Sequence, residues 1–228
     1  MRRTVQIVAL LALLAGICPA QQIVDRIVAT VNRQPILLSD WEVEMRCEAM
    51  LDQKALPLSD DVAHSALDRL IDQELVRQQI RSYRLAEPSA EEISRRVDEV
   101  RKQLVAREDL TAFRGLLARY GLSENELRDR LSTQLMILRF IDVRLRPSVH
   151  VERRSIEAYY NDTLLPEARR KGDQSPPPLA DVAPQIEELL SQQRVDALTN
   201  DWLKDLRQQA DIRVDPAVGA KPAEQAVR

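Results

Sequence analysis

Two histidines, two cysteines and several adjacent acidic or basic pairs are the groups from which this chain could build catalysis or a metal site. A metal centre needs three or four His, Cys or carboxylate ligands at helix or loop spacing. His64 falls on the polar side of a helical stretch and His150 beside a helix break at Pro147, neither near such a cluster. Each reads as a surface or helix-capping residue. The acidic pairs Asp60-Asp61, Glu91-Glu92 and Glu187-Glu188 fall at helix starts or on polar faces, where solvation and the positive helix end account for them. The basic groups Arg95-Arg96, Arg153-Arg154 and Arg169-Arg170-Lys171 have acids close by. No G-x-S-x-G elbow, phosphate loop or dinucleotide fingerprint occurs. The expectation is no catalytic residue, no metal site and no cofactor, hence a chain that is not an enzyme.

The first residues must be set aside before the rest is read. Arg2 and Arg3 precede an apolar run over 5–17, and Cys18-Pro19-Ala20 ends it with small residues. That is the pattern of a secretory leader, expected to be cut after Ala20, and its run is short for a membrane span. Cys18 as a lipid acceptor is disfavoured by the bulky Ile17 before it. Losing Arg2 and Arg3 from the 33 basic residues leaves 31 against 36 acidic ones. A net negative chain disfavours nucleic acid or an anionic membrane as partner. Cys47 is then the remaining thiol, with no internal disulfide partner, and its apolar helix neighbours make it a buried, inert residue.

The elements follow from periodicity. Ile27, Ala29 and Val31 alternate with Arg26, Val28 and Thr30 as in a strand, Asn32-Arg33-Gln34 is turn chemistry, and Pro35 opens a second strand. Ser39 with Glu42 reads as a capping box for a helix over 40–51. A second helix runs over 59–83 with Leu67, Leu70, Ile71, Leu75 and Ile80 on its stripe. Ser89 with Glu92 caps a third, whose narrow seam is Ile93, Val97, Val100 and Leu104. A fourth spans 110–120 and stops at Gly121; Ser123 with Glu126 caps a fifth, ending at Leu145. The latter half of that helix (Leu135, Met136, Ile137, Leu138, Phe140, Ile141, Val143) is apolar nearly all round. It is read as a central core helix, with a groove-lining helix as the alternative. A short amphipathic turn ends in Tyr159-Tyr160, and "KGDQSPPPLADV" breaks the helical pattern. A long helix over 181–210 carries Val182, Ile186, Leu189, Leu190, Val195, Leu198, Trp202 and Leu206. Residues 211–214 alternate as a closing strand, which needs the N-terminal hairpin as its sheet. The fold class is therefore mostly α: a multi-helix core with a small β-hairpin plus a C-terminal strand joining the two chain ends. Residues 215–228 have nothing obvious to pack against and read as a disordered tail.

This order of elements resembles the SurA family of periplasmic chaperones. The residues that carry the resemblance are "VDRIVATVNRQPILLSDWEVEM", "ALDRLIDQELVRQQ", "VERRSIEAYYND" and "WLKDLRQQADIRV", and it extends from Ile23 to Val214. PpiD-like and other parvulin-associated chaperones share the organisation. In SurA-like proteins one or two parvulin prolyl-isomerase domains, each on the order of 100 residues, sit between the short turn and the long terminal helix. Here only residues 161–180 occupy that place. The resemblance implies a leader over 1–20, a helical chaperone domain over 21–160, a Pro-rich bridge over 161–180, a helix and strand over 181–214 that complete the core, and the tail. It implies an ATP-independent periplasmic holdase without a parvulin domain. Its partners would be unfolded polypeptides, outer-membrane proteins in particular, with no nucleic acid and no stable membrane insertion. A prolyl isomerase and a structural envelope module are the alternatives. The client-binding surface is expected at Met45, Met50, Leu135, Met136, Ile137 and Phe140, where methionines suit varied clients.

Overall fold

The computed structural model of the protein describes residues 25–105, 109–170, 172 and 176–219. The expected leader and the end of the tail (220–228) lie outside the described residues.

Strand β1 (Ile27–Val31) pairs antiparallel with β2 (Gln34–Leu37). The two residues between them, Asn32 and Arg33, have φ of 50° and 71°. Two consecutive left-handed residues make the hairpin turn whose twist matches that of its strands, so Gln34 belongs to the strand rather than to the turn. The ladder is irregular between Ile27 and Ala29. That irregularity takes Ile27 off the face it was expected to share with Ala29 and Val31. A bulge lets Val28 and Ala29 both turn inward, and Ile27 is left exposed.

Helix α1 (Leu38–Leu51) follows β2 without a loop, and its capping residue is Leu37 rather than Ser39. Ser39 already lies in the first turn, so the expected Ser39–Glu42 box does not form. Both the amide and the hydroxyl of Ser39 donate to the Asp25 carboxylate, which lies ahead of β1. These bonds, the hydroxyl one foremost, hold the Asp25 carboxyl below its ordinary range. Glu42 turns instead to Arg46, one helical turn on.

Helices α2 (Asp60–Ile80), α3 (Ala90–Leu104), α4 (Leu110–Arg119) and α5 (Glu124–Arg144) take up most of the expected stretches. The Ser89–Glu92 and Ser123–Glu126 boxes are both complete. Gly121, at φ 66°, ends α4, a conformation that costs glycine little. Beyond α5 the chain makes a 3₁₀ turn (Arg146–Ser148) and then helix α6 (Arg153–Tyr159). A π-helical turn (Tyr160–Leu164) carries α6 into α7 (Leu165–Arg170). Residues 161–170 of the expected bridge over 161–180 are thus helical. Helix α8 (Leu179–Gln209) resumes two residues earlier than its periodicity suggested.

Strand β3 (Ile212–Val214) pairs antiparallel with β1, giving the sheet order β2-β1-β3. Asn32 clamps the junction: its amide donates to the Asp211 carbonyl, and its side-chain oxygen accepts from the Asp211 amide, each at 2.9 Å. A single turn, α9 (Pro216–Gly219), then places Val218 in the core. The start of the expected disordered tail is therefore packed, because Val218 finds the apolar floor under the sheet.

Two apolar clusters result. One joins Cys47, Ala49 and Met50 of α1 to Val97 and Val100 of α3, Phe113 and Leu117 of α4, and Leu127 and Leu131 of α5. The other joins the sheet (Val28, Ala29, Val31, Ile36) to Leu67, Ile71 and Leu75 of α2, with Leu206 and Ile212 against it. Of the long terminal stripe only Ile186 and Val195 are buried, and Leu189 is 41% exposed, since α8 packs mainly on α2 and α6.

Candidate functional site

The six residues expected to face a client separate into two kinds. Met50 is 0% exposed inside the α1–α3–α4–α5 cluster, and Phe140 is 1% exposed. The Phe140 ring lies edge-on to Tyr83 at 5.0 Å and 5.7 Å from Trp202. Both side chains are core in this structure and present no surface. Met45, Leu135, Met136 and Ile137 are half-buried. Nor is the second half of α5 buried all round, as a central core helix would be. Only its Phe140 side is sealed, by Tyr83 and the Trp202 of α8, while Leu138 stays 48% exposed.

Met136 and Ile137 line a cavity of about 370 Å³ with Ile80 at the end of α2, Pro88, and Ile93 of α3. The loop carrying Glu87 and Pro88 forms its lip. Arg139 pins that lip, donating to the Ala86 carbonyl at 2.6 Å and to the Glu92 carboxylate at 2.7 Å. Arg77 and Thr133 belong to this cavity and to a second one of about 300 Å³. The second continues toward the start of α5, between Leu70, Gln73 and Glu74 of α2 and Glu126, Asp129 and Arg130 of α5, with Asp40 and Val43 of α1. Together they form one open groove, apolar at one end and charged at the other. It runs along the seam between the two apolar clusters.

The charged end rests on carboxylates that the sequence reading did not single out. Glu44, Glu48 and Glu74 are all buried. Arg130 forks onto Glu44 at 2.8 and 2.9 Å. Burial opposes the Arg130 charge, but the hydrogen bonds and attraction from Glu44 outweigh it, and the guanidinium pKa lies above its ordinary value. Arg77 pairs with Glu74 at 2.9 Å, and Arg69 with Glu48 at 3.1 Å. One oxygen of Glu48 is buried without a hydrogen-bond partner. A signal for these groups did exist. Glu44 and Glu48 recur four residues apart among Val43, Cys47 and Met50, on a face a solvated acid would avoid. By contrast Asp40, Glu87 and Asp129, also on the groove, are exposed and make no ion pair among the described residues.

Cys47 lies beneath, fully buried, and burial pushes its thiol pKa up to about 12, with Arg130 partly offsetting the rise. A thiol so held is a packing group and not a nucleophile. His64 stays within its own helix, its Nδ1 2.7 Å from the Asp60 carbonyl one turn back. Among the described residues no group of three metal-ligating side chains comes together, and no helix is long and apolar enough to cross a membrane. What the groove offers is binding: adaptable apolar side chains at one end, fixed charge at the other.

Comparison with known proteins agrees with this architecture. No curated protein sequence matches the chain. Among solved structures, one from Campylobacter jejuni superimposes with a TM-score of 0.50 at 11% identity, covering 83% of this chain and 99% of its own. It comes from work describing the virulence factor PEB4 and the periplasmic protein Cj1289 as two structurally related SurA-like chaperones. At that identity the likeness speaks for the fold. The SurA-like N-terminal domain family matches residues 3–141, more than half of the chain. The chain belongs to the SurA-like N-terminal domain family.

Proposed function

We propose that the protein is an ATP-independent holdase of the cell envelope, exported by a leader over 1–20, which carries unfolded polypeptides, outer-membrane proteins among them. The observation that supports this reading is the open apolar cavity at Met136 and Ile137, in a chain of a chaperone family. A cavity left half-exposed in a monomer is a cost unless something fills it. Burial there yields about 25 cal/mol per Å² of apolar area, enough for reversible capture by several side chains. Methionine, unbranched and polarisable, adapts to differing clients. Met45 and Leu135, half-buried on α1 and α5, line neither cavity and are not counted in this surface. By the resemblance, SurA-like proteins carry a parvulin domain between the stretches that end here at Arg170 and begin at Leu179, and on this reading no prolyl-isomerase activity accompanies the binding.

The test uses protein purified from the envelope, whose mass places its first residue at Gln21 when the leader is removed. Light scattering of a denatured porin diluted into buffer should fall in its presence. A Met136→Ser, Ile137→Ser double variant with an unchanged circular dichroism spectrum should suppress aggregation several-fold less well. Full protection by that folded variant would refute the cavity as the client site. Acceleration of cis-to-trans conversion in a proline peptide by the wild-type protein would favour the isomerase instead.

A further inference from the structure

The groove has a polarity that a general apolar binder would not need. From the order of lining residues, α2 and α5 run alongside each other in the same direction. Leu70, Gln73 and Arg77 pass the charged end before Ile80, as Glu126, Asp129 and Thr133 do before Met136. Both arginines facing the groove are already committed, Arg130 to Glu44 and Arg77 to Glu74. Asp40 and Asp129 at the charged end, and Glu87 at the lip, have no such partner among the described residues. The groove therefore carries uncompensated negative charge beside an apolar cavity.

We propose that its occupant is an extended segment of unfolded polypeptide with a lysine or arginine close to a bulky apolar residue. The proposal rests on the holdase reading and specifies its substrate class. The apolar side chain enters the cavity of Ile80, Ile93, Met136 and Ile137, and the cation lies against Asp40 and Asp129. The geometry fixes their separation. Asp129 and Met136 are seven residues apart on one helix, which at a rise of about 1.5 Å per residue is ~10 Å. An extended chain advances roughly 3.3 Å per residue, so the two side chains stand three or four residues apart in the client. Attraction across so open a site is screened by salt. It selects among apolar segments and does not replace the apolar contact.

Fluorescence anisotropy with three labelled peptides tests this. They share one phenylalanine and carry lysine, glutamine or glutamate four residues away. The lysine peptide should bind roughly fivefold tighter than the glutamine peptide, in line with exposed charge pairs, and the glutamate peptide more weakly than either. The preference should vanish near 1 M salt, where the screening length falls to about 3 Å. It should vanish also in an Asp40→Asn, Asp129→Asn double variant with an unchanged circular dichroism spectrum. Equal affinity for all three peptides overturns the charge preference while leaving the holdase reading intact. So does a lysine preference that survives in the double variant. If no peptide binds, the holdase reading fails and this inference with it. Self-association of the chain that the same double variant abolishes would assign the groove to a second copy and overturn the proposal.

Discussion

Glu44 and Arg130 stand 86 residues apart in the chain, yet their side chains are 4% and 9% exposed and joined by two hydrogen bonds. A pair so enclosed adds little over two apolar groups of the same shape, but losing one member strands the other charge. Glu44→Gln is therefore expected to cost about 3–5 kcal/mol, measured by urea unfolding. Replacing both residues by methionine should recover most of that loss. If the single variant is as stable as wild type, Arg130 has found water or another acid, and the charged end of the groove is looser than its geometry suggests. At this same scale Met50 and Phe140 show how apolarity alone fails to mark a binding surface. Each has the chemistry to meet a client, and each is consumed by its own core.

The helix starts separate the local from the non-local. In the Ser123–Glu126 box the hydroxyl and then the amide of Ser123 hold the Glu126 carboxyl below its ordinary 4.5. A depressed carboxyl binds its proton less tightly folded than unfolded, so its contribution is present above that ordinary value and lost as pH falls below it. Ser123→Ala should lower stability by about 1 kcal/mol at neutral pH. The gap to wild type should narrow below pH 4.5, and a gap constant with pH would count against the box as its source. The Ser39–Glu42 pair has the same sequence signature and does not form the box. Entry from β2 puts Ser39 inside the first turn, and Asp25 is near enough to take its hydrogen bonds.

On the scale of the molecule, the chain is closed by its ends. Beyond Asp201 lie Trp202 against Phe140, Arg207 bonded to Asp72 at 2.6 Å and to Asp68 at 3.2 Å, and β3 along β1. A chain ended at Asp201 loses all of these and uncovers Phe140. Burial of one large side chain is worth roughly 1.5–3 kcal/mol, and each kcal/mol shifts the midpoint by about 2–4 °C at this size. A fall of about 10 °C in Tm is expected by differential scanning calorimetry. An unchanged midpoint would mean that the terminal helix and strand do not complete the core.

Local sequence was enough for α1 to α5 and α8 in their order, the hairpin, two of three capping boxes, the stop at Gly121 and the closing strand, because each follows from residues within a few positions of one another, but not for α7 or α9. It also carried the family, through motifs spread along the chain. Tertiary structure decided what periodicity cannot see. Which way Val28 faces depends on a bulge against β2, and whether α5 is core or surface depends on how much of it α8 covers. The burial of Glu44 depends on an arginine arriving from another helix. The groove belongs to this second class. Its apolar end needs Ile80, Pro88, Ile93 and Met136 from separate elements, and only packing of the two clusters side by side leaves a seam between them. A side chain's type is local information; its exposure is settled by what the rest of the chain places on top of it.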